Sequence, residues 1–273
     1  MWDSVPREAG EDAVVLQRVA KENSFERYAC TTLFAPSEYQ ILVVDAPNVP
    51  RDELKAAIRW RIKDMLDYHV DDATIDVMEV PADGVAGAKP RSMFSVTAAN
   101  QLVLNRVSLF ERAKVDLKVI DIPDTAQRNI AVLFEQPERA TALLSIGEWG
   151  GLLTLSARGE LILSRRLDVT WRQLAVESQR TYHLERVAEE LRRSLDIFER
   201  QYQQTPVSEL LLAPLPEPVG LQEHLAEALY VPVRSIDLDE VIDFPGERVP
   251  SNQQQWEFFH LFGAALRLEA RVL

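Results

Sequence analysis

Apolar residues fall along this chain in two rhythms, one of three to four residues and one of two, punctuated by proline and glycine. Leu16, Val19 and Ala20 keep helical spacing until Asn23-Ser24 breaks it, and the polar, period-free residues 1 to 12 read as a lead-in. Gln40-Ile41-Leu42-Val43-Val44-Asp45 is short and β-branched and reads as a buried strand, closed by Pro47-Asn48-Val49-Pro50. Arg51 to Tyr68 reads as one helix. Leu54, Ala57, Ile58, Ile62, Met65 and Leu66 share a face, with Arg51, Lys55, Arg59 and Lys63 on the other. Thr74 to Val80 and Ser92 to Ala98 alternate as strands around a Gly/Ala/Pro loop, Pro81 to Pro90. Leu102 to Ala113 is helical and Leu117 to Ile122 is a strand. Helix–strand–strand–helix–strand is enough to build a small α/β unit of its own.

The second half starts with a connecting helix, Asp124 to Phe134. Three short strands follow, Ala142 to Ile146, Leu152 to Ser156 and Glu160 to Arg165, with glycine-containing turns that predict a meander. Trp171 to Ala175 starts a helix. Leu184 to Tyr202 is another, with Leu184, Val187, Leu191, Leu195, Phe198 and Tyr202 on its apolar face. Glu209 to Ala213 is strand-like, Leu221 to Leu229 helical, and Val233 to Leu238 a last strand. Gln254 to Leu268 is an aromatic-rich helix whose Trp256, Phe258, Phe259, Leu261, Phe262 and Leu266 nearly encircle it, which favours burial over a membrane surface.

Composition narrows the function classes. The 273 residues carry 43 acidic and 30 basic side chains, a formal charge of −13, which opposes nonspecific contact with a phosphate backbone. No apolar run approaches the roughly 18 residues of a membrane helix, and Met1-Trp2-Asp3-Ser4 lacks a signal-peptide pattern. Cys30 is the single cysteine, so neither an internal disulfide nor a cysteine zinc site is available, and it reads as a small buried hydrophobe. A cytosolic, acidic α/β protein is the expectation.

Reactive groupings are scarce. His69, His183, His224 and His260 show no metal-binding i, i+4 pair, and no G-x-S-x-G elbow occurs. The loop Gly84 to Pro90 is no Walker cradle: its glycines are three apart, and Lys89 precedes a proline that has no N–H. Asp71-Asp72, Asp237 with Asp239, and Glu189-Glu190 read as solvated charge.

Four stretches carry a family resemblance in order: Tyr39 to Pro81, Val119 to Leu133 ("VIDIPDTAQRNIAVL"), Ala142 to Val169 ("ALLSIGEWGGLLTLSARGELILSRRLDV") and Glu190 to Pro214, with "FGAALR" (Phe262 to Arg267) near the end. The chain resembles the MshI agglutinin-biogenesis proteins, relatives of the pilus assembly protein PilM in the actin-like superfamily. The resemblance implies an α/β, two-domain actin-like (ribonuclease H-like) fold, with a nucleotide cleft between the domains and an inserted PilM-type subdomain. The expected division is residues 1–50 with 118–140 as a first domain lacking its opening strands, 51–117 as the insertion, 141–253 as the second domain, and 254–273 as a closing helix.

Actin-like ATPases hold phosphates with two glycine-rich hairpin turns, each bearing an Asp for the hydrated cation, and adenosine with a Gly-Gly turn. Nothing before Val14 resembles the first hairpin. The second turn reads Ser145-Ile146-Gly147-Glu148, where serine brings no carboxylate and Glu148 adds negative charge, with Thr154 on the returning strand. The adenosine turn reads Ala213-Pro214-Leu215-Pro216, short of N–H donors and of glycine. Each lost charge-assisted bond costs roughly 1.5–3 kcal/mol, against about 8 kcal/mol for a whole micromolar affinity. The expectation is a degenerate cleft at Ser145, Gly147, Glu148, Thr154, Ala213 and Pro214, with no catalytic residue, metal or cofactor. The family role is then recruitment at the cytoplasmic face of the inner membrane, of a membrane-anchored PilN/MshJ-like partner through its cytosolic amino-terminal tail. On the long helix, Ile58, Arg59, Arg61 and Ile62 are the candidate contacts. Trp149, between turn glycines, is a possible interaction point. The alternative expectation is an ATP- and magnesium-binding actin-like pilus ATPase whose start is misassigned.

Overall fold

The computed structural model describes residues 12–83, 92–244 and 249–267. The chain divides into two compact units, residues 1–80 with 89–123 and 268–273, and residues 81–88 with 124–267. The lead-in expected over residues 1 to 12 and most of the loop Pro81 to Pro90 lie outside the described residues.

The first unit holds α1 (Asp12–Glu22), β1 (Cys30–Leu33), β2 (Gln40–Asp45), α2 (Leu54–Ile62), β3 (Ala73–Glu79), β4 (Ser92–Ala99), α3 (Asn100–Ala113) and β5 (Leu117–Asp121). β1 and β5 form a two-stranded parallel sheet; β2, β4 and β3 form an antiparallel sheet in that order. α2 packs Leu54, Ile58 and Ile62 on Val44, Val77 and Met93. Successive strand residues point to opposite faces, so Ile41 and Val96 lie on the other face, where Leu102 and Val103 of α3 meet them. Arg106 ties α3 to the chain around β1, donating to Thr32 Oγ1 and to the Leu33 carbonyl and pairing with Glu38 at 2.9 Å.

Two expectations are corrected here. The helix predicted over Arg51 to Tyr68 is a 3-10 turn, Arg51–Glu53, followed by an α-helix that stops at Ile62. Asp64 and Asp67 would face the negative end of a longer helix, which opposes its extension. Instead the chain folds back, and Arg59 donates to the Val70 and Ala73 carbonyls. β2 is not a buried strand throughout but an edge strand with Val43 60% exposed.

The second unit contains α4 (Pro123–Ala131, all but its first residue), β6 (Ala140–Gly147), β7 (Gly150–Ala157), β8 (Glu160–Leu167), α5 (Trp171–Ala175), α6 (Glu177–Gln201), β9 (Val207–Leu212), α7 (Leu221–Ala228), β10 (Val233–Ser235) and α8 (Asn252–Ala265). Its sheet runs β10-β9-β6-β7-β8, parallel among β10, β9 and β6 and antiparallel through the predicted meander. β6 and β7 are buried along nearly their whole length because helices cover both faces. α6 starts earlier than its apolar period, and buries Leu184, Val187, Leu191, Leu195 and Phe198. The last strand is shorter than predicted, since Asp237 accepts the Asp239 N–H and turns the chain into a 3-10 turn.

α4 departs most from the pattern. Its residues are polar at Asp124, Thr125, Gln127 and Arg128, yet all four are buried. α8 lies so close to it that a Cβ added at Gly263 would stand 2.0 Å from the Ala126 carbonyl oxygen. Asn129 Nδ2 donates to the Gly263 carbonyl at 2.9 Å. α8 itself is not encircled by buried aromatics: Phe259 is its one large apolar side chain fully inside, and Leu261 is half exposed.

Candidate functional site

The turn between β6 and β7 places the predicted cleft residues. Gly147 pairs with Gly150 across a two-residue loop, Glu148-Trp149. Gly150 needs to be glycine on two grounds: φ is +131°, and a Cβ would meet the Leu167 carbonyl oxygen at 2.8 Å. Trp149 at the tip is 86% exposed. Glu148 is taken by Arg172, whose Nε lies 2.6 Å from its carboxylate. The Ile146 carbonyl accepts the Trp256 indole N–H at 2.7 Å, and Trp256 packs on Trp171 with centroids 6.3 Å apart.

Behind the turn, Ser145, Thr154 and Gln127 form one buried network. Gln127 Nε2 donates to the carbonyls of Leu143 and Leu152 and to Thr154 Oγ1, at 2.8, 3.0 and 3.0 Å. Those three acceptors fix the orientation of the amide, so Oε1 points at Ser145, whose hydroxyl donates to it at 2.6 Å. His260 Nε2 lies 3.3 Å from Ser145 Oγ and 3.2 Å from Gln127 Oε1. Between two oxygens, with the serine proton already committed, the ring acts as an Nε2–H donor. It therefore does not serve as a base for Ser145. His260 as a whole residue is only half-buried, but its imidazole is enclosed, and burial pushes its pKa down to about 4, against an opposing upward push from Asp124. Asp124 also accepts a hydrogen bond from Ser164.

At the predicted adenosine turn, Ala213 and Pro214 are buried. The Ala213 N–H is committed to the Leu144 carbonyl at 2.8 Å, and Pro214 has none to offer. Among these six residues Glu148 brings the one carboxylate, and it is held by Arg172, while the Ser145 hydroxyl and the Ala213 N–H are committed within the unit. Among the described residues, no three His, Cys, Asp or Glu side chains gather as a metal ion would require. The Cys30 thiol is raised in pKa, by burial first and by Asp116 second, which disfavours the reactive thiolate.

The candidate partner contacts lie in the first unit. Ile58 and Ile62 are fully buried against the sheet and have no surface to give a ligand. Arg59 spends its guanidinium on the fold-back described above. What α2 presents outward is Trp60, 73% exposed, with Lys63 Nζ 5.7 Å from its ring centre and the exposed Arg61 beside it. Sequence pattern missed Trp60, which stands between Arg59 and Arg61 and outside the apolar spacing of the helix. It also missed Gln127, Asp124 and His260. The i, i+3 spacing of Asp124 and Gln127 marks a polar stripe on α4, and nothing local says the stripe is buried.

No family model matches the chain, and no curated protein does either. Solved structures do. One described as a PilM-PilN type IV pilus biogenesis complex aligns with a TM-score of 0.73 at 21% identity, over 97% of this chain and 90% of that one. The cytoplasmic domain of EpsL, an inner-membrane component of the Vibrio cholerae type II secretion system, aligns at 0.45 and 14% identity, over 91% and 80%. A Bacteroides thetaiotaomicron protein with an actin-like ATPase fold aligns at 0.46 and 10%, over 85% and 77%. The first of these establishes the fold: α/β, like that of a chain in the PilM-PilN complex. No helix among the described residues is long and apolar enough to cross a membrane.

Proposed function

We propose that this chain is a non-catalytic scaffold of a type IV pilus (MSHA-like) assembly platform, working at the cytoplasmic face of the inner membrane. It recruits a membrane-anchored PilN/MshJ-like protein through that partner's cytosolic amino-terminal tail. The observation that carries the reading is the occupation of Ser145. Where an actin-like ATPase of this resemblance would aim an aspartate at hydrated magnesium, this chain has a hydroxyl already donating to Gln127. The fold shared with a chain of a PilM-PilN complex supports the pilus assembly role. Recruitment falls to Trp60 and Arg61 on the outer face of α2, since Ile58 and Ile62 serve the core. A flat aromatic beside cations suits an extended peptide carrying apolar and polar side chains.

Titration calorimetry of the full chain tests both halves. Magnesium-ATP gives no saturable heat up to about 1 mM, whereas a synthetic tail peptide of the membrane partner binds in the micromolar range. Trp60→Ala and Arg61→Glu each weaken the peptide about tenfold or more, with unchanged unfolding curves. Micromolar ATP binding, or a peptide indifferent to both variants, overturns the reading.

A further inference from the structure

The antiparallel sheet of the first unit has two edges of opposite chemistry. The β3 edge exposes Thr74, Asp76 and Glu79, with Asp76 bound to Lys55 at 3.0 Å, the charged kind of edge that discourages pairing. β2 carries charge only at its ends, where Asp45 is exposed and Gln40 bonds Asp67 at 3.0 Å, and its centre is unprotected. Ile41-Leu42-Val43-Val44 is an unbroken apolar run without proline or lysine. Its register on β4 is regular from Gln40 opposite Thr97 to Asp45 opposite Ser92, with no bulge. Among the described residues β2 pairs with β4 alone, and Val43 is 60% exposed.

We propose that β2 is the seam of a twofold dimer, pairing antiparallel with β2 of a second copy to give a six-stranded sheet ordered β3-β4-β2-β2-β4-β3. A twofold axis normal to the sheet keeps each face on its own side, so only residues of like parity can meet. An axis through Val43 would set Ile41 against the partner's Asp45. An axis through Leu42 instead sets Leu42 on the partner's Leu42 and Ile41 on the partner's Val43. Apolar then meets apolar at every central pair, and Val43 is covered. The net charge of −13 is the opposing term. The two Asp45 carboxylates are six residues, about 20 Å, apart along the seam, well beyond a Debye length of about 8 Å at physiological salt. The acidic groups closer to each Asp45 are Glu38 of the other copy, which Arg106 neutralises, and Asp67, which is bound to Gln40. A seam this short falls below the roughly 1,200 Å² of a tight complex, so the dimer forms at micromolar rather than nanomolar concentration. The proposal is independent of the recruitment reading.

Sedimentation of the full chain from about 1 to about 200 µM tests it. The expected result is a concentration-dependent dimer that strengthens as salt is raised. Hydrogen exchange should show rising protection of residues 40–45 over the same concentrations. Val43→Lys is expected to stay monomeric throughout with an unchanged melting temperature, since the side chain is exposed in the single copy. A monomer at all concentrations, a dimer that Val43→Lys leaves intact, or one that salt weakens overturns the proposal. It is equally overturned if the wild-type chain stays monomeric while Val43→Lys loses binding of the tail peptide, which would make the edge a site for a foreign strand.

Discussion

The hydroxyl of Ser145 donates to the amide oxygen of Gln127 at 2.6 Å, and through that bond the β6–β7 turn is locked to α4. Gln127 is fully buried and has all its hydrogen-bonding capacity used within this unit. The polar seam beneath α4 is thus closed on itself. A ligand entering there would have to compete with bonds already made in a region of low dielectric, where breaking them is costly.

Placing an acidic side chain at position 145 should destabilise the unit. Ser145→Asp would press a carboxylate on Gln127 Oε1, two acceptors with no proton between them. A loss of about 3 kcal/mol in urea unfolding is expected, against about 1 kcal/mol for Ser145→Ala. Magnesium-ATP should leave the melting temperature of Ser145→Asp unmoved; a rise of several degrees would mean that the turn still reaches phosphate.

His260 predicts a dependence on pH. Burial holds its pKa at about 4 in the folded chain, below the unfolded value of about 6.5. Stability is then whole above about pH 6.5 and falls as pH drops toward 4, because the unfolded chain takes a proton that the folded one refuses. At about 1.36 kcal/mol per pH unit, the loss reached by pH 4 is about 3 kcal/mol. Urea midpoints measured from pH 7 to 4 should show this slope, and His260→Gln should flatten it relative to the other titrating groups.

Gly263 has no room for a methyl. With the Ala126 carbonyl 2.0 Å from where Cβ would stand, Gly263→Ala must move α8 off α4. A loss of about 3 kcal/mol or more is expected in chemical unfolding. A neutral result would mean that the two helices are free to slide.

Two tryptophans on either side of one turn should behave oppositely. Trp149→Ala removes an exposed ring and should change stability by less than about 0.5 kcal/mol, while deleting an emission readily quenched by acrylamide. Trp256→Phe leaves the Ile146 carbonyl without its donor and should cost about 1–2 kcal/mol. Comparison of their urea midpoints checks the pair.

Much of the second unit was legible along the chain. The meander showed in its alternation and glycine turns, and the apolar face of α6 in its three-and-four spacing, because a helix or strand that buries one side writes its period locally. β2 misled because an apolar run reads the same in the middle of a sheet and at its rim. On α2, the residues that looked fit for a partner were divided by the fold: Ile58 and Ile62 turned inward, Arg59 was spent on the returning chain, and Trp60 was left outside.

Sequence by itself determined the kind and order of the elements, and it determined that position 145 brings a hydroxyl and not a carboxylate. Both are properties of neighbouring residues or of one side chain's chemistry. Only the tertiary structure decided that the polar helix α4 is enclosed, that Gln127, Ser145 and His260 satisfy one another, and that β2 ends a sheet. Whether a polar group faces water, and whether a strand has a second neighbour, depends on elements far away in the chain, such as Gly263 against Ala126.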